Sequence, residues 1–249
     1  MKSSLFLFLA VLVSFQCFVQ CLADERGPAY DVEEYGTNGI VKAKVALYME
    51  SLCPGCHQFI KHQLYPVFMK YSNYIQLDLI PFGNARHTKN SDGTWEFKCQ
   101  HGEPECFGNL YLACATHLLQ ASRPKHLIRY YNCMASASSF SIEKDVKQCA
   151  PVAGVNFRKL QTCVKSKGPE ILAQFGDRTD ALEGRKFVPT IVIDDEFNID
   201  DQGDIDDDLL GYLCQRFKGK KPTECNNKAA QVSSRKHHTR LTLSMRCSV

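Results

Sequence analysis

Cys53 and Cys56 stand at the junction between two different hydrophobic patterns, and this junction constrains the fold more than any other feature of the chain. Before it, residues 40–49 alternate at first and end in an apolar run, as expected of a strand that becomes buried. Residues 74–80 alternate again. Between them, apolar residues recur at helical spacing, at Ile60, Leu64, Val67, Phe68 and Tyr71. The sequence therefore predicts a strand, a helix that begins near Cys53, and a second strand.

The rest of the chain predicts a helical region followed by two strands and a helix. Residues 83–103 are polar and contain Gly and Asn, so we expect a loop there. Residues 104–182 predict several short helices that carry many cysteines. Residues 188–193 predict a third strand, and 195–200 its partner in a hairpin. A closing helix then carries Leu209, Leu210, Leu213 and Phe217.

This order of elements predicts an α/β protein with one mixed sheet, in a thioredoxin-like fold with a helical insertion. We place the domain at residues 40–218 and its disulfide-stapled insertion at about 100–182. Residues 24–39 form an N-terminal extension. Residues 219–249 form a basic C-terminal tail that is a candidate for proteolytic processing.

The first residues predict a signal peptide over 1–23. Lys2 precedes a short apolar run, and small residues at positions 21 and 23 precede two acidic residues. The alternative is a membrane anchor, but the run is short for a span, so we expect no stable membrane insertion. An export signal together with many cysteines predicts the secretory pathway and an oxidising compartment. The net charge of +3 is too small to argue for nucleic acid binding.

The spacing of Cys53 and Cys56 suits thiol–disulfide exchange. The reacting species is a thiolate, which the unpaired N–H groups and positive end of a helix stabilise, so we expect a lowered pKa at Cys53. Cys53 would attack a substrate disulfide, and Cys56, about one turn later, would release the product. A structural pair or half a zinc site is the alternative, but no second pair at zinc spacing is present. The redox interpretation requires sulfurs that are neither sealed in the interior nor bound to a metal.

Val188 and Pro189 lie at the start of the predicted third strand, where proline hinders strand pairing. In thioredoxin-like folds a cis-proline faces the cysteine pair, and we predict the same for Pro189, with the Val188 backbone available to bind substrate. The alternative is a trans-proline that opens an edge strand.

Two ionisable residues near the cysteine pair each have two possible roles. Asp78 could accept a proton from Cys56 or face solvent, and His57 is expected to be a solvated helix residue rather than a proton carrier.

A second group of cysteines lies in residues 99–114 and carries a family resemblance. The motif C-Q-H-G-x-x-E-C-x-x-N-x-x-x-x-C is matched at Cys99, Gln100, His101, Gly102, Glu105, Cys106, Asn109 and Cys114. In this motif the chain resembles the gamma-interferon-inducible lysosomal thiol reductase family, and residues 48–56 also look like the active-site segment of that family. The resemblance covers roughly residues 40–217.

The resemblance implies a thioredoxin-like fold and an enzyme that reduces protein disulfides, often in acidic endocytic compartments. It makes Cys53 and Cys56 the catalytic pair, with disulfide-containing proteins as substrates, a small thiol as a candidate reductant, and neither a cofactor nor a metal. We expect a secreted, lysosomal or vacuolar protein. The chain has no N-x-S/T sequon after residue 23, so delivery through N-glycan tags is in doubt. The alternatives are an oxidase or isomerase of the same fold, or a non-enzymatic, disulfide-rich binding protein.

Nine cysteines remain once the predicted signal peptide and the Cys53–Cys56 pair are set aside. Cys247 is the odd one and suggests a disulfide-linked dimer, or loss of the tail by processing. Metal binding by Cys99, His101 and Cys106 is an alternative to disulfides, although His101 is expected to be a hydrogen-bonded structural residue. The other eight predict four structural disulfides of undetermined connectivity: Cys99, Cys106, Cys114, Cys133, Cys149, Cys163, Cys214 and Cys225.

Overall fold

The computed structural model describes residues 39–137, 141–226 and 246–248. The predicted signal peptide, nearly all of the N-terminal extension and most of the basic tail lie outside these residues. No helix within the described ranges is long and apolar enough to cross a membrane.

A three-stranded sheet positions the cysteine pair. The central strand β1 (Ala43–Met49) pairs in parallel with β2 (Ile75–Pro81) on one side. On its other side it pairs antiparallel with β6 (Thr190–Ile193), so that Leu47 lies opposite Leu79 in one neighbour and Ile191 in the other. Because β1 is hydrogen-bonded along both edges and packed on both faces, it is buried apart from Lys44, which explains its apolar sequence.

The helix that joins β1 to β2 begins where the sequence predicts. It comprises α1 (Pro54–Phe59), a π-helical segment (Ile60–Leu64) and α2 (Tyr65–Tyr71). Pro54 occupies the first turn, where the missing N–H costs nothing. Pro66 has no N–H to bond to the preceding turn, and the wider π turn accommodates it. The strand–helix–strand unit is therefore confirmed.

The predicted loop over residues 83–103 is wrong, because much of it forms a hairpin. Strand β3 (Arg86–Lys89) pairs antiparallel with β4 (Trp95–Lys98). Both strands are largely exposed on both faces, so no apolar alternation reveals them. Asp92 accepts hydrogen bonds from the main-chain N–H and hydroxyl of Thr94 and thereby stabilises the turn.

The predicted helical insertion is present, and its described residues form five helices between β4 and the last strand of the three-stranded sheet. They are α3 (Glu103–Leu119), α4 (Pro124–Ser136), α5 (Ile142–Val152), α6 (Phe157–Ser166) and α7 (Gly168–Asp180). Helix α3 packs on α7 and on β2, which joins the insertion to the sheet.

The third predicted strand is divided at Pro189 into a short β5 (Phe187–Val188) and the buried β6. The hairpin predicted over 195–200 is wrong. The chain reverses tightly after β6, with Asp194 and Asp195 at positive φ, and only Ile193 and Glu196 form a bridge. Acidic residues tolerate this left-handed backbone better than most, which favours a turn over a second strand. Two short helices follow, α8 (Gln202–Asp207) and α9 (Leu209–Arg216).

A last strand, β7 (Cys247–Ser248), pairs antiparallel with β5. A parallel strand–helix–strand unit, an antiparallel third strand that follows a proline, and closing helices together make a thioredoxin-like α/β fold.

All eight cysteines predicted to be structural are paired. Cys114–Cys163 joins α3 to α6, and Cys133–Cys149 joins α4 to α5. The metal alternative for Cys99, His101 and Cys106 is wrong, because disulfide sulfurs offer no thiolate to a metal. The four bridges are Cys99–Cys106, Cys114–Cys163, Cys133–Cys149 and Cys214–Cys225.

Removing the longest-range bridge should destabilise the fold most. We expect Cys114→Ala/Cys163→Ala to lower the free energy of unfolding by about 4 kcal/mol, because the bridge closes a long loop of the unfolded chain. The Cys99–Cys106 bridge spans a sequence separation of only 7, so Cys99→Ala/Cys106→Ala should cost less, about 2.5 kcal/mol. Guanidinium unfolding of both variants measures this, and a larger loss for the short loop would contradict the entropic explanation.

Candidate active site

Cys53 lies where the central strand gives way to the helix, at the N-cap of α1. Its sulfur lies 3.5 Å from the main-chain oxygen of Val188, in the strand β5 that precedes the proline. The peptide bond between Val188 and Pro189 is cis, as predicted. The fold therefore brings together the two segments that the sequence singled out, although 135 positions separate Cys53 from Val188.

The two cysteines of the pair ionise very differently. A hydrogen bond from the Cys56 thiol, with others from the Cys247 thiol and the Cys56 N–H, lowers the pKa of Cys53 to about 6 against the opposing effect of burial. Burial raises the pKa of Cys56 well above its ordinary value, and the nearby charge of Cys53 adds to this. Cys53 is thus the more acidic and Cys56 the less acidic thiol of the pair, in the direction that the sequence predicts for Cys53.

One expectation of the sequence analysis fails at this point. The redox interpretation needs a sulfur that a substrate can reach, yet Cys53 is 0% exposed. Its sulfur is enclosed by Cys56, by the Val188 carbonyl and by Cys247 of the C-terminal strand. The sequence did not predict that the segment with Cys247 would lie beside the Cys53–Cys56 pair.

Glu50 is a candidate site residue to which the sequence analysis assigned no role. It is 0% exposed, and its Oε2 accepts a hydrogen bond from the main-chain N–H of Asn84 at 2.9 Å. Its Oε1 has no hydrogen-bond partner among the described residues. Burial raises the pKa of Glu50 to about 7, and repulsion from Glu105 and Cys53 acts in the same direction. The available signal was an acidic residue three positions before Cys53, directly after a buried strand.

Gly83 makes room for the Glu50 side chain. It adopts a φ of +66°, and a Cβ at this position would collide with the carboxylate. A glycine is therefore required both by the backbone conformation and by the close approach of Glu50.

His101 and Glu105 form a second polar layer beside Glu50. His101 Nδ1 lies 2.6 Å from Glu105 Oε2 and 3.5 Å from Glu50 Oε1. Burial opposes ionisation of His101, but its hydrogen bond to Glu105 and the charges of both carboxylates prevail and raise its pKa. His101 is hydrogen-bonded, as predicted.

The remaining motif residues hold the loop between Glu50 and Cys53 against α3. The Asn109 side-chain oxygen accepts a hydrogen bond from the Ser51 N–H at 2.8 Å, and the Ser51 hydroxyl donates to the Glu105 main-chain oxygen at 3.0 Å. Both contacts are buried. The second cysteine group therefore contributes to the site by positioning the residues before Cys53.

Asp78 and His57 both have hydrogen-bond partners other than the sulfurs, and Asp78 is buried, so the alternative in which it faces solvent is wrong. Asp78 is engaged by Arg178, whose nearest nitrogen lies 2.5 Å from Oδ2, and by Gln120 at 3.0 Å. His57 is half-buried, and its Nε2 donates to the Ser51 main-chain oxygen at 2.7 Å, so the expectation of a solvated side chain is wrong. Glu50, rather than Asp78, is the buried carboxyl beside Cys56.

A thiolate beside a protonated partner, at the start of a helix in this fold, serves exchange between thiols and disulfides. Fold and site together define a thiol–disulfide oxidoreductase of the thioredoxin-like class. Residues 44–153 match the family described as gamma interferon inducible lysosomal thiol reductase (GILT). The chain belongs to this family of thiol reductases, so it is a disulfide-reducing enzyme whose substrates contain disulfides.

Two individual relatives support the same assignment. The gamma-interferon-inducible lysosomal thiol reductase of Carassius auratus is 36% identical over 188 residues, which cover 73% of this chain and 71% of that protein. The protein of the same name from Mus musculus is 31% identical, with 74% and 72% covered. Among solved structures, Chlamydia trachomatis DsbA is similar with a TM-score of 0.48 and 17% identity, covering 70% of this chain and 87% of that one.

Proposed function

We propose that Cys53 is the nucleophile and Cys56 the resolving cysteine in the reduction of protein disulfides. The Cys53 thiolate attacks one substrate sulfur, and the other leaves as a thiol, which gives a mixed disulfide. The Cys56 sulfur then attacks Cys53, releases the second substrate thiol and leaves a Cys53–Cys56 disulfide. A small thiol restores the reduced pair. The observation that supports this order is the unequal ionisation of the two sulfurs.

Glu50 acts in this proposal as the proton acceptor for Cys56. The buried Cys56 thiol cannot attack until it loses its proton, and the negative charge of Glu50 disfavours the thiolate. Moving the proton from Cys56 to Glu50 removes that repulsion. The negative charge of the Cys53 thiolate raises the pKa of Glu50. In the mixed disulfide Cys53 carries no charge, so the pKa of Glu50 is lower. A larger fraction of Glu50 is then ionised and able to accept the proton from Cys56.

Val188 and Pro189 supply the substrate-binding edge. The main chain of β5 lies beside the Cys53 sulfur and has hydrogen-bonding groups that an extended polypeptide can pair with. Main-chain pairing is independent of side-chain identity, so this edge can bind extended segments of different sequence.

We propose that the enzyme works in acidic compartments of the secretory and endolysosomal pathway, or after secretion. The relatives from Carassius auratus and Mus musculus are named lysosomal thiol reductases. With the pKa of Cys53 at about 6, about a tenth of the sulfur is ionised at pH 5. An ordinary cysteine, with a pKa of about 8.5, would be ionised there to only about 0.03%.

The rate of attack should therefore follow the ionisation of Cys53. We expect the second-order rate constant for a neutral aromatic disulfide to rise about tenfold per pH unit below about 6 and to level off above it. Stopped-flow absorbance between about pH 4 and 9 measures this, because the range includes both the pKa of Cys53, about 6, and the ordinary cysteine value of about 8.5. Cys53→Ser is the control that reports the other free thiols. A midpoint of the rate–pH curve at about 8.5, the pKa of an ordinary cysteine, would contradict the proposal.

A further inference from the structure

The C-terminal strand occupies the edge at which a substrate is expected to bind. In β7, Cys247 pairs with Val188 and Ser248 pairs with Phe187, antiparallel to the strand before Pro189. The segment adds to an exposed strand edge in the way that extended peptide ligands do.

Side-chain amides hold the main chain of this segment. Asn84 Nδ2 donates to the carbonyl oxygens of Cys247 and Ser248 at 3.0 and 3.1 Å, and Gln100 Nε2 donates to the second of these at 3.0 Å. The amide of Asn84 is itself oriented by Arg185, whose Nη1 lies 2.6 Å from Asn84 Oδ1. The Asn84 and Gln100 amides donate only to main-chain carbonyl oxygens here, so an extended polypeptide of any sequence could accept the same hydrogen bonds.

Arg246 fills a separate pocket. Its guanidinium lies 2.5 Å from Asp206 Oδ2 and 4.2 Å from the centre of the Phe187 ring. The side chains are only 9% and 13% exposed for Arg246 and Asp206. A charge pair with this little solvent, stacked on an aromatic face, is a specific contact rather than a surface ion pair.

The segment places Cys247 against the reacting sulfur. Its thiol is within hydrogen-bonding reach of Cys53. The sulfur also lies within 4.8 Å of a Glu50 carboxylate oxygen and a His101 ring nitrogen. Cys247 therefore brings a third thiol close to the buried Glu50 carboxylate.

We propose that Arg246–Ser248 is a tethered substrate of Cys53, bound in a groove that accepts an extended segment with a basic residue before a cysteine. The proposal rests on the function proposed above. In the oxidised enzyme the Cys247 thiolate attacks the Cys53 sulfur. The Cys53–Cys247 bond forms, the Cys53–Cys56 bond breaks, and its electron pair stays on Cys56. Glu50 carries the proton from Cys247 to Cys56, and no net oxidation occurs.

The docked segment explains why Cys53 is 0% exposed. A protein substrate has to displace Arg246–Ser248 before it meets the thiolate. Foreign substrates would then compete with the chain's own C-terminus for the same groove, and release or removal of that segment would open the site.

The test uses the full chain with Cys56→Ser, equilibrated in glutathione buffers of varied redox ratio. Cys53 first forms a mixed disulfide with glutathione, and Cys247 displaces the glutathione as a thiol. Peptide mapping without reduction gives the fraction of Cys53–Cys247 disulfide and hence the effective concentration of Cys247. We expect the effective concentration of Cys247 to be at least about tenfold higher than the millimolar effective concentration that a flexible tether provides.

Arg246→Ala in the same background removes the ion pair and should lower the effective concentration by about tenfold or more. Arg216→Ala is the matched control, because Arg216 pairs with Glu196 and Asp201 and not with Asp206. This substitution should leave the effective concentration of Cys247 unchanged. Cys53 held as the glutathione adduct, or linked to Cys247 of another molecule, would overturn the tethered substrate while leaving Cys53 reactive. No adduct at Cys53 at all would instead overturn the proposed function.

A second readout addresses the pocket. In full-length Cys247→Ser, we expect mixed-disulfide peptides with Arg before cysteine to be reduced about tenfold faster at subsaturating concentration than those with Glu. Asp206→Asn should remove most of this preference. Equal rates for both peptides before the Asp206 change would overturn the assignment of the pocket.

Discussion

Replacing Cys53 with serine is expected to abolish disulfide reduction, with turnover falling at least about a thousandfold, to the uncatalysed rate. The serine hydroxyl is not ionised at any pH at which the protein is folded, and an alkoxide forms no stable bond to sulfur. Reduction of a disulfide-linked protein such as insulin, followed through its loss of solubility, measures the effect.

Cys56→Ser is the matched variant, because it should lose turnover for a different reason. Cys53 would still attack, but nothing would release the product, so mixed disulfides with substrate should accumulate and be visible on non-reducing gels. If Cys53→Ser formed such adducts and Cys56→Ser did not, the assigned order of the two cysteines would be wrong.

Glu50→Gln is expected to slow turnover about a hundredfold while sparing the first attack. The amide keeps the shape of the side chain and its hydrogen bond from Asn84, but it cannot take the proton from Cys56. Removing the charge also lowers the pKa of Cys56 somewhat, yet burial is the larger cause of the raised value and remains. Mixed disulfides should therefore accumulate in single-turnover experiments with the substituted enzyme.

The pH dependence of product release separates a proton acceptor from a structural residue. In the unsubstituted enzyme, release should rise with pH as Glu50 ionises, with a midpoint below about 7 because the mixed disulfide carries no thiolate charge. This inflection should disappear in Glu50→Gln. Glu105→Gln is the control, since that carboxylate contacts His101: the inflection should persist, moved to a lower pH because the repulsion between Glu105 and Glu50 is lost. An inflection that persists without Glu50 would contradict its role.

Local patterns predicted the parts of the fold that local physics determines. The apolar run of β1 and the helical spacing after Cys56 predicted the strand–helix–strand unit. The cis bond before Pro189 was predicted by analogy with thioredoxin-like folds, because the local sequence also allowed a trans-proline. The hairpin of β3 and β4 was missed because its exposed strands show no apolar alternation. The turn at Asp194 was missed because positive φ leaves little trace in sequence.

Long-range features of the site were beyond the sequence for a different reason. The number of structural disulfides followed from counting cysteines, but their pairing depends on how the helices of the insertion pack. Glu50 was not predicted as a site residue because its burial against Gly83 and Asn84 depends on how distant parts of the chain pack. The docking of Cys247 on Val188 joins segments 59 positions apart with no local signal.

The most direct test is an NMR titration of the Cβ carbons of Cys53 and Cys56 in the reduced, full-length protein labelled with carbon-13 on cysteine. Each Cβ shift reports ionisation of its own sulfur. We predict a midpoint at about 6 for Cys53 and no ionisation of Cys56 through the ordinary cysteine range, which centres on about 8.5. Ionisation of Cys56 before Cys53, or an ordinary midpoint for both, would contradict the account.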